Sequence, residues 1–547
     1  MREATHQRAR PGILVQAAAA LLVVAGIGLR LADYALDRSL WLDEAFLALN
    51  IQERDVAELF GTLDFNQAAP AGYLLLAKGA TLLFGDSEYG LRAIAVVSSV
   101  ASVPLFWLCA RRILAPWAAV LALGFFALGG GLLLHAAEVK PYSTDVLVAV
   151  VLLLLALTWW PRSALTLRRG IAAGLVAAGL VWISYPAVFV VAGIAATLLV
   201  EAILHRDRET VRSILVMAAL ACGSFALLSA TVLDTTIGIQ SALKSGAPRF
   251  FLPLPPTSAE ELDRLARAPL LLFRGSVSLG TWSAVLFGTL AFVGALSLAR
   301  RRSWRTVGIL LSPLPFVIAA SAAGLYPFGD RFTLFYVPFA FLLVAEGAWT
   351  SLGAMRSRLS GSRARLRAAI LVTGLCCAGL LAVAANSTAA HFEDPQAEAI
   401  KPALETIQED WRTGDTLFVY FATQYALRYY AECEDCGVVQ SGRAASLWNN
   451  VRLATPTAPE FAPALLSNPP TIIVGANLKD EPLDAMEAQL DRLAGRPGVW
   501  ILFTHVGTAD GTEALATALR RLDAQGKRLL ERQYDGAALY FYDLRQD

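Results

Sequence analysis

Apolar runs close to the length of a bilayer crossing recur through the first 386 residues of this chain, and few folds can accommodate them. A helix needs about 20 apolar residues to span the hydrocarbon layer. Eleven segments read as spans: 13–36, 89–110, 114–135, 143–160, 170–184, 186–203, 212–233, 278–299, 306–325, 332–352 and 368–386. Composition agrees, with 56% of the 547 residues hydrophobic and 17% charged, against roughly half and a quarter in a soluble protein. The mean hydropathy is +0.53. The prediction is a polytopic α-helical membrane protein surrounded by membrane lipids. A net charge of +1 gives no argument for a nucleic-acid partner. The first run follows Arg2, Arg8 and Arg10, and a signal peptide is the competing reading. The run is long and lacks a clear small-x-small cleavage site before Trp41, which makes it a retained span.

Charge gives the orientation. Arg111 and Arg112, Arg162 to Arg169, Arg206 to Arg212, Arg300 to Arg305, and Arg356 to Arg367 fall in alternate loops, on the side of the N-terminal arginines. The positive-inside rule makes that side cytoplasmic. Residues 1–386 then form the membrane domain, with a first outer loop at 37–88, and residues 387–547 lie outside the cytoplasmic membrane. Two stretches test the count. A single long helix over 170–203 would invert the arginine clusters that follow, so a break is expected around Ser184-Tyr185-Pro186. Ala69–Phe84 contains Lys78 and is short for a crossing, which suits an interfacial or re-entrant helix.

Beyond residue 386 the pattern changes. Short apolar strands are expected at Asp415–Phe421, Gly437–Gln440, Thr471–Gly475, Val499–Thr504 and Ala538–Leu544, with helical patterns at 481–494 and 511–525. That alternation predicts a small α/β domain with a largely parallel sheet, closed by Tyr540-Phe541-Tyr542 as parallel strand or antiparallel edge. It holds neither GxGxxG nor GxxxxGK[ST], so nothing suggests a nucleotide phosphate loop.

The first outer loop carries the most chemistry, in Trp41-Leu42-Asp43-Glu44. Adjacent carboxylates beside an aromatic occur in ordinary solvated loops. They also suit a general base at the membrane surface, taking a proton from an attacking hydroxyl. Such a pair could equally hold a divalent cation, and the spacing decides neither. His135-Ala136-Ala137-Glu138-Val139-Lys140-Pro141-Tyr142-Ser143-Thr144-Asp145 crowds charged and phenolic groups at one boundary, where they are expensive unless paired or functional. A helix cap and short loop is the plainer reading. Tyr326-Pro327-Phe328-Gly329-Asp330-Arg331 lies outside the tenth span, where Arg331 is either a snorkelling side chain or a fork for phosphate.

Trp-x-Asp-Glu after the first span resembles the opening motif of the GT-C superfamily, the multi-spanning glycosyltransferases that use lipid-phosphate-linked sugars. The likeness is nearest to the protein mannosyltransferase and lipid A aminoarabinose transferase group, over about residues 15–350. Asn66-Gln67-Ala68-Ala69-Pro70-Ala71-Gly72-Tyr73 resembles the group's outer helix, and Leu83-Phe84-Gly85-Asp86-Ser87 through Arg92 its link into the second span. The resemblance implies a GT-C-like bundle in a bacterial inner membrane with a periplasmic domain. Asp43 matches the family's catalytic acidic position, taken to activate the acceptor hydroxyl, with Glu44 as companion. Trp41, Gln67, Tyr73, Arg92, Glu138, Lys140, Tyr142, Asp145, Tyr326 and Arg331 fall at substrate or donor positions. The aminoarabinose type carries a lysine where this chain has Gln67 and Ala68, so that basic contact is missing or supplied elsewhere. The implied partners are a polyprenyl-phosphate-linked sugar and an envelope glycan, glycolipid or protein.

Cys433-x-x-Cys436 reads as a local disulfide or two thiols; a structural zinc would need further ligands. Cys109, Cys222, Cys376 and Cys377 read as small packing residues in helices, and His391 and His505 as surface residues. A transporter or flippase, which predicts midplane ion sites in broken helices, and a scaffold or sensor acting through the outer domain are the competing classes. The charges here lie mainly at boundaries, which favours the enzyme.

Overall fold

The computed structural model describes residues 12–159, 165–233, 248–275, 277–359, 363–393, 398–433, 436, 472–476 and 483–545. The expected strand at Gly437–Gln440 lies outside them, as do the N-terminal arginines. The membrane portion begins with α1 (Ile13–Ala35), α2 (Leu42–Glu53), α3 (Ala71–Phe84), α4 (Glu88–Ile113), α5 (Pro116–Leu128) and α6 (Gly130–Leu134). It continues through α7 (Tyr142–Trp159), α8 (Leu167–Ile183), α9 (Ala187–Leu204), α10 (Arg208–Leu228), α11 (Ala259–Arg274) and α12 (Thr281–Arg300). It ends with α13 (Trp304–Leu311), α14 (Pro313–Ala322), α15 (Val337–Leu359) and α16 (Arg363–Glu393).

Eight helical stretches among the described residues are long and apolar enough to cross a membrane. All eleven expected segments are occupied by helix, but the other three form shorter ones. Gly129-Gly130-Gly131 interrupts the third, so that α5 stops after 13 residues and restarts as α6. The helix over 170–203 does break at Ser184–Pro186, and Tyr185 donates its hydroxyl to Ala69 O (3.0 Å), tying the break to the start of α3.

The first span is built into the bundle. α1 packs on α4 and α5 at Gly26, where a Cβ would come within 2.9 Å of Ala127 Cβ. One turn later the buried Arg30 donates to Ser99 Oγ and to the carbonyls of Gly26, Phe126 and Ala127. A buried guanidinium needs such partners, and the end of α5 supplies two orphan carbonyls.

The outer domain contains α17 (Ile400–Asp410), β1 (Thr416–Val419), α18 (Thr423–Glu432), β2 (Ile472–Val474), α19 (Leu483–Asp491), β3 (Val499–Thr504), α20 (Ala509–Asp523), β4 (Lys527–Tyr534) and β5 (Ala537–Asp543). The sheet order is β2-β1-β3-β5-β4, with β1 parallel to β2 and β3, and β5 antiparallel to β3 and β4. It is therefore mixed rather than largely parallel. The unexpected strand is β4, whose Lys-Arg-Leu-Leu-Glu-Arg-Gln-Tyr sequence has no period-2 apolar face because it is a mostly exposed edge. The Tyr540-Phe541-Tyr542 strand is antiparallel, but lies inside that edge.

Candidate active site

Loops from four parts of the membrane domain converge at one end of the bundle. Asp43 near the start of α2 meets Arg331, whose Nη2 donates to Asp43 Oδ2 at 2.7 Å. The Arg331 guanidinium lies over Trp41, Tyr142 and Phe332, 5.4, 5.8 and 5.6 Å from the ring centroids. Three aromatic faces and one carboxylate fix a cation that keeps about a quarter of its side-chain surface. Beside it, Lys140 Nζ donates to Gln67 Oε1 at 2.7 Å. Lys140, from the loop between α6 and α7, thus places an ammonium beside position 67. His135 Nδ1 and Glu138 Oε2, 2.7 Å apart, complete that loop.

Electrostatics follows from this packing. Burial raises the Asp43 carboxyl, but Lys140, Arg331 and His505 outweigh it and hold the group below the ordinary carboxylate range. Burial likewise raises Glu138, and His135, Arg331 and Arg38 bring it below its usual value. Lys140 goes the other way. Burial holds its ammonium below the usual lysine value, against the pull of Asp43.

Glu44, the next residue, takes part in a different structure. Its two oxygens accept from Arg92 Nε (3.0 Å) and Nη2 (2.8 Å), and Oε1 also accepts from Val139 N (2.8 Å). Arg92 donates onward to the carbonyls of Arg38 and Ser39. The pair is buried, and it braces α2 and the loop before it against α4. Of the remaining residues expected here, Tyr326 donates to Phe332 O. The Tyr73 hydroxyl and Asp145 Oδ1 are buried without a hydrogen-bond partner among the described residues. Asp43 and Glu44 engage different arginines, and the described residues contain no group of three or more His, Cys, Asp or Glu that could hold a metal ion.

The outer domain covers this end of the bundle, which sequence reasoning did not anticipate. α18 packs on α2, with Tyr425 edge-on to Phe46 (4.6 Å) and Phe65 (5.0 Å). Two histidines read as surface residues are in fact paired. His391 is buried, with Nε2 2.7 Å from Asp33 Oδ1, and His505 Nδ1 lies 2.6 Å from Glu398 Oε1. No spacing signal marks them, because their partners are distant in sequence. Cys433 and Cys436 form a disulfide, and Cys433 Sγ faces Asp86 O in the first outer loop. Of the remaining cysteines, Cys109 is buried, whereas Cys222 and Cys376 lie on the outside of the bundle. A cleft of about 600 Å³ between α9 and α10, lined by Ile203, Arg206 and Leu215, includes none of the site residues.

No family model matches the chain, and no curated protein matches it. Solved structures do. The apo oligosaccharyltransferase of Archaeoglobus fulgidus aligns with a TM-score of 0.53 at 12% identity, over 100% of this chain and 75% of that one. The two chains share a fold. The archaeal oligosaccharyltransferase AglB in complex with an inhibitory peptide and a dolichol-phosphate gives 0.50 at 13% identity, over 96% and 74% of the two chains. ArnT from Cupriavidus metallidurans bound to undecaprenyl phosphate gives 0.49 at 12% identity, over 95% and 97%. With eight helical stretches long and apolar enough to cross a membrane among the described residues, this shared fold is that of a multi-pass membrane protein.

Proposed function

We propose that this chain transfers a sugar from a polyprenyl-phosphate-linked donor to a hydroxyl of an envelope glycan, lipid or protein acceptor on the outer face of the cytoplasmic membrane. The observation that carries the reading is the Asp43–Arg331 pair, a partly exposed carboxylate and a cation at one end of an apolar bundle, with Lys140 beside them. The N-terminus and arginine loops face the cytoplasm in this reading. It is supported by the way the loops expected outside meet one another, while Glu201, near the C-terminal end of α9, pairs with Arg305 of a loop expected inside.

Asp43 takes the acceptor's proton as the acceptor oxygen bonds to the anomeric carbon. The bond from that carbon to the phosphate oxygen breaks, leaving its electron pair on phosphate, and displacement in line inverts the carbon. Arg331 and Lys140 stabilise the departing phosphate. Their prior arrangement matters. With both cations beside it, Asp43 is a weak base. A donor phosphate drawing on Arg331 and Lys140 neutralises them and releases the carboxylate, so its basicity rises when the donor is bound. Glu44 and Arg92 serve as the brace that holds α2.

The test incubates purified protein with a panel of polyprenyl-phosphate sugars and separated envelope acceptors, and identifies products by mass. Transfer that disappears in Asp43→Asn supports the reading; no product from any donor–acceptor combination would sink it.

A further inference from the structure

The segment 37–40 carries the chain from α1 into Trp41 and Asp43, and it is held from two sides. The membrane domain grips it through Arg92, which donates to Arg38 O (2.6 Å) and Ser39 O (3.3 Å). The outer domain grips the opposite polar groups. Tyr430, fully buried in α18, accepts from Leu40 N (2.9 Å) and donates to Glu88 Oε1 (2.8 Å). Lys401, near the start of α17, places Nζ 2.9 Å from Asp37 Oδ2 and 2.8 Å from Glu88 Oε1, and its backbone N donates to Ser39 Oγ (3.2 Å). Leu42, one residue before Asp43, packs against the apolar cluster that the first outer loop shares with the outer domain, and against a second cluster formed by the outer domain alone. Tyr429 and Cys433, from the same outer segment, face Asp86 O just before α4.

These contacts are more specific than two domains resting on each other. A buried backbone N–H must be paired, and the partner of Leu40 N comes from a residue nearly four hundred positions later. The loop's conformation is therefore completed only when the outer domain is seated. Its sequence, Asp37-Arg38-Ser39-Leu40, contains no turn of its own that would fix Asp43 against Arg331.

We propose that the outer domain is the positioning element of the candidate active site, and that Tyr430 is a positioning residue acting on Asp43 through Leu40 N. The proposal rests on the transferase reading for its functional consequence, but its structural half does not. In the reaction, the Asp43 oxygen must lie within hydrogen-bond reach of the acceptor hydroxyl, and a displacement of about 1 Å costs on the order of a hundredfold in rate. The donor phosphate is held by Arg331 and Lys140, which do not depend on the Tyr430 hydroxyl. Loss of that hydroxyl therefore separates turnover from donor affinity.

The experiment uses the full-length protein in detergent and compares Tyr430→Phe with wild type in two measurements on the same folded preparations. Hydrogen exchange of the peptide containing Leu40 is followed by mass spectrometry, and transfer is measured alongside equilibrium binding of a polyprenyl-phosphate sugar. The expected result is exchange roughly fivefold faster at Leu40, from one lost hydrogen bond. Turnover falls roughly tenfold to a hundredfold with donor affinity held. Lys401→Met, which removes a different contact to the same segment, moves both readouts in the same direction. Unchanged exchange in both variants would overturn the clamp. Faster exchange with wild-type turnover would overturn its role in positioning. Wild-type protein that transfers no sugar defeats the transferase reading instead, and the exchange arm still decides whether the outer domain holds the loop.

Discussion

Asp43 and Glu44 are neighbours in sequence, yet the structure places them in two regions that share almost nothing. Around Glu44 both oxygens are engaged by three hydrogen bonds. Arg92 binds both oxygens, Val139 N adds a third bond, and the side chains are 2% and 4% exposed. Around Asp43 one arginine supplies a single hydrogen bond, the pair keeps 25% and 26% exposure, and three aromatic faces flank the cation. A saturated buried pair resists change because removing either partner strands a charge. A carboxylate with unused lone pairs and access to water can accept a proton. The i to i+1 spacing on α2 turns one side chain toward Arg331 and the other toward α4, so one helical step separates the two environments.

The largest test of that contrast is Asp43→Asn, which keeps size and removes the basic oxygen. Turnover is expected to fall by about 10²–10⁴-fold, with the melting temperature and donor binding changed far less. Turnover near wild type would erase the distinction between the two acids.

Glu44→Gln should do the reverse. It leaves Arg92 buried without its carboxylate, at a cost of about 3–5 kcal/mol, visible as a lowered melting temperature and reduced yield. The folded fraction should keep far more turnover than Asp43→Asn; equal losses per folded molecule would place both acids in the chemistry.

A smaller effect sharpens the electrostatic side. Asp43 is held below the usual carboxylate range, so its charged form, and the stability of its ion pair, persist above that lowered value and are lost as pH falls through it. In Arg331→Ala the acid limb of kcat/KM against pH should move to higher pH, because one of the cations that lower Asp43 is gone. Donor affinity should weaken at the same time. An unmoved acid limb would show that the limb reports another group.

The smallest effect concerns a third acid of the same helix. Burial pushes Glu53 up from 4.5 to about 7 although Arg428 lies 2.7 Å away. Its folded value exceeds its unfolded one, so its favourable contribution is complete below about 4.5 and is lost as pH rises through about 7. The melting temperature of Glu53→Gln should therefore vary less than wild type across that window. Parallel curves would assign the wild-type dependence elsewhere.

Much of the architecture was legible because the bilayer imposes a strong rule. Apolar runs of spanning length must be helices, and alternating arginine clusters fix which loops share a side. The break at Ser184–Pro186 and four of the five expected strands were readable for similar local reasons, namely a proline and bounded apolar runs. Strand β4 was not, since an exposed edge carries no alternation.

The site divides in the same way. Sequence by itself placed Trp41, Asp43, Lys140 and Arg331 in boundary loops on one side, because charge at a membrane surface is costly and therefore noticeable. Only tertiary structure decided that Arg331 reaches Asp43, that Lys140 meets Gln67, and that Glu44 turns inward to Arg92. It alone placed Tyr430 and Lys401 on the loop before Asp43. The physical reason is range. Hydropathy and helix periodicity act over a few residues, whereas these pairings join groups up to 390 positions apart, chosen by how helices pack and where the outer domain is seated.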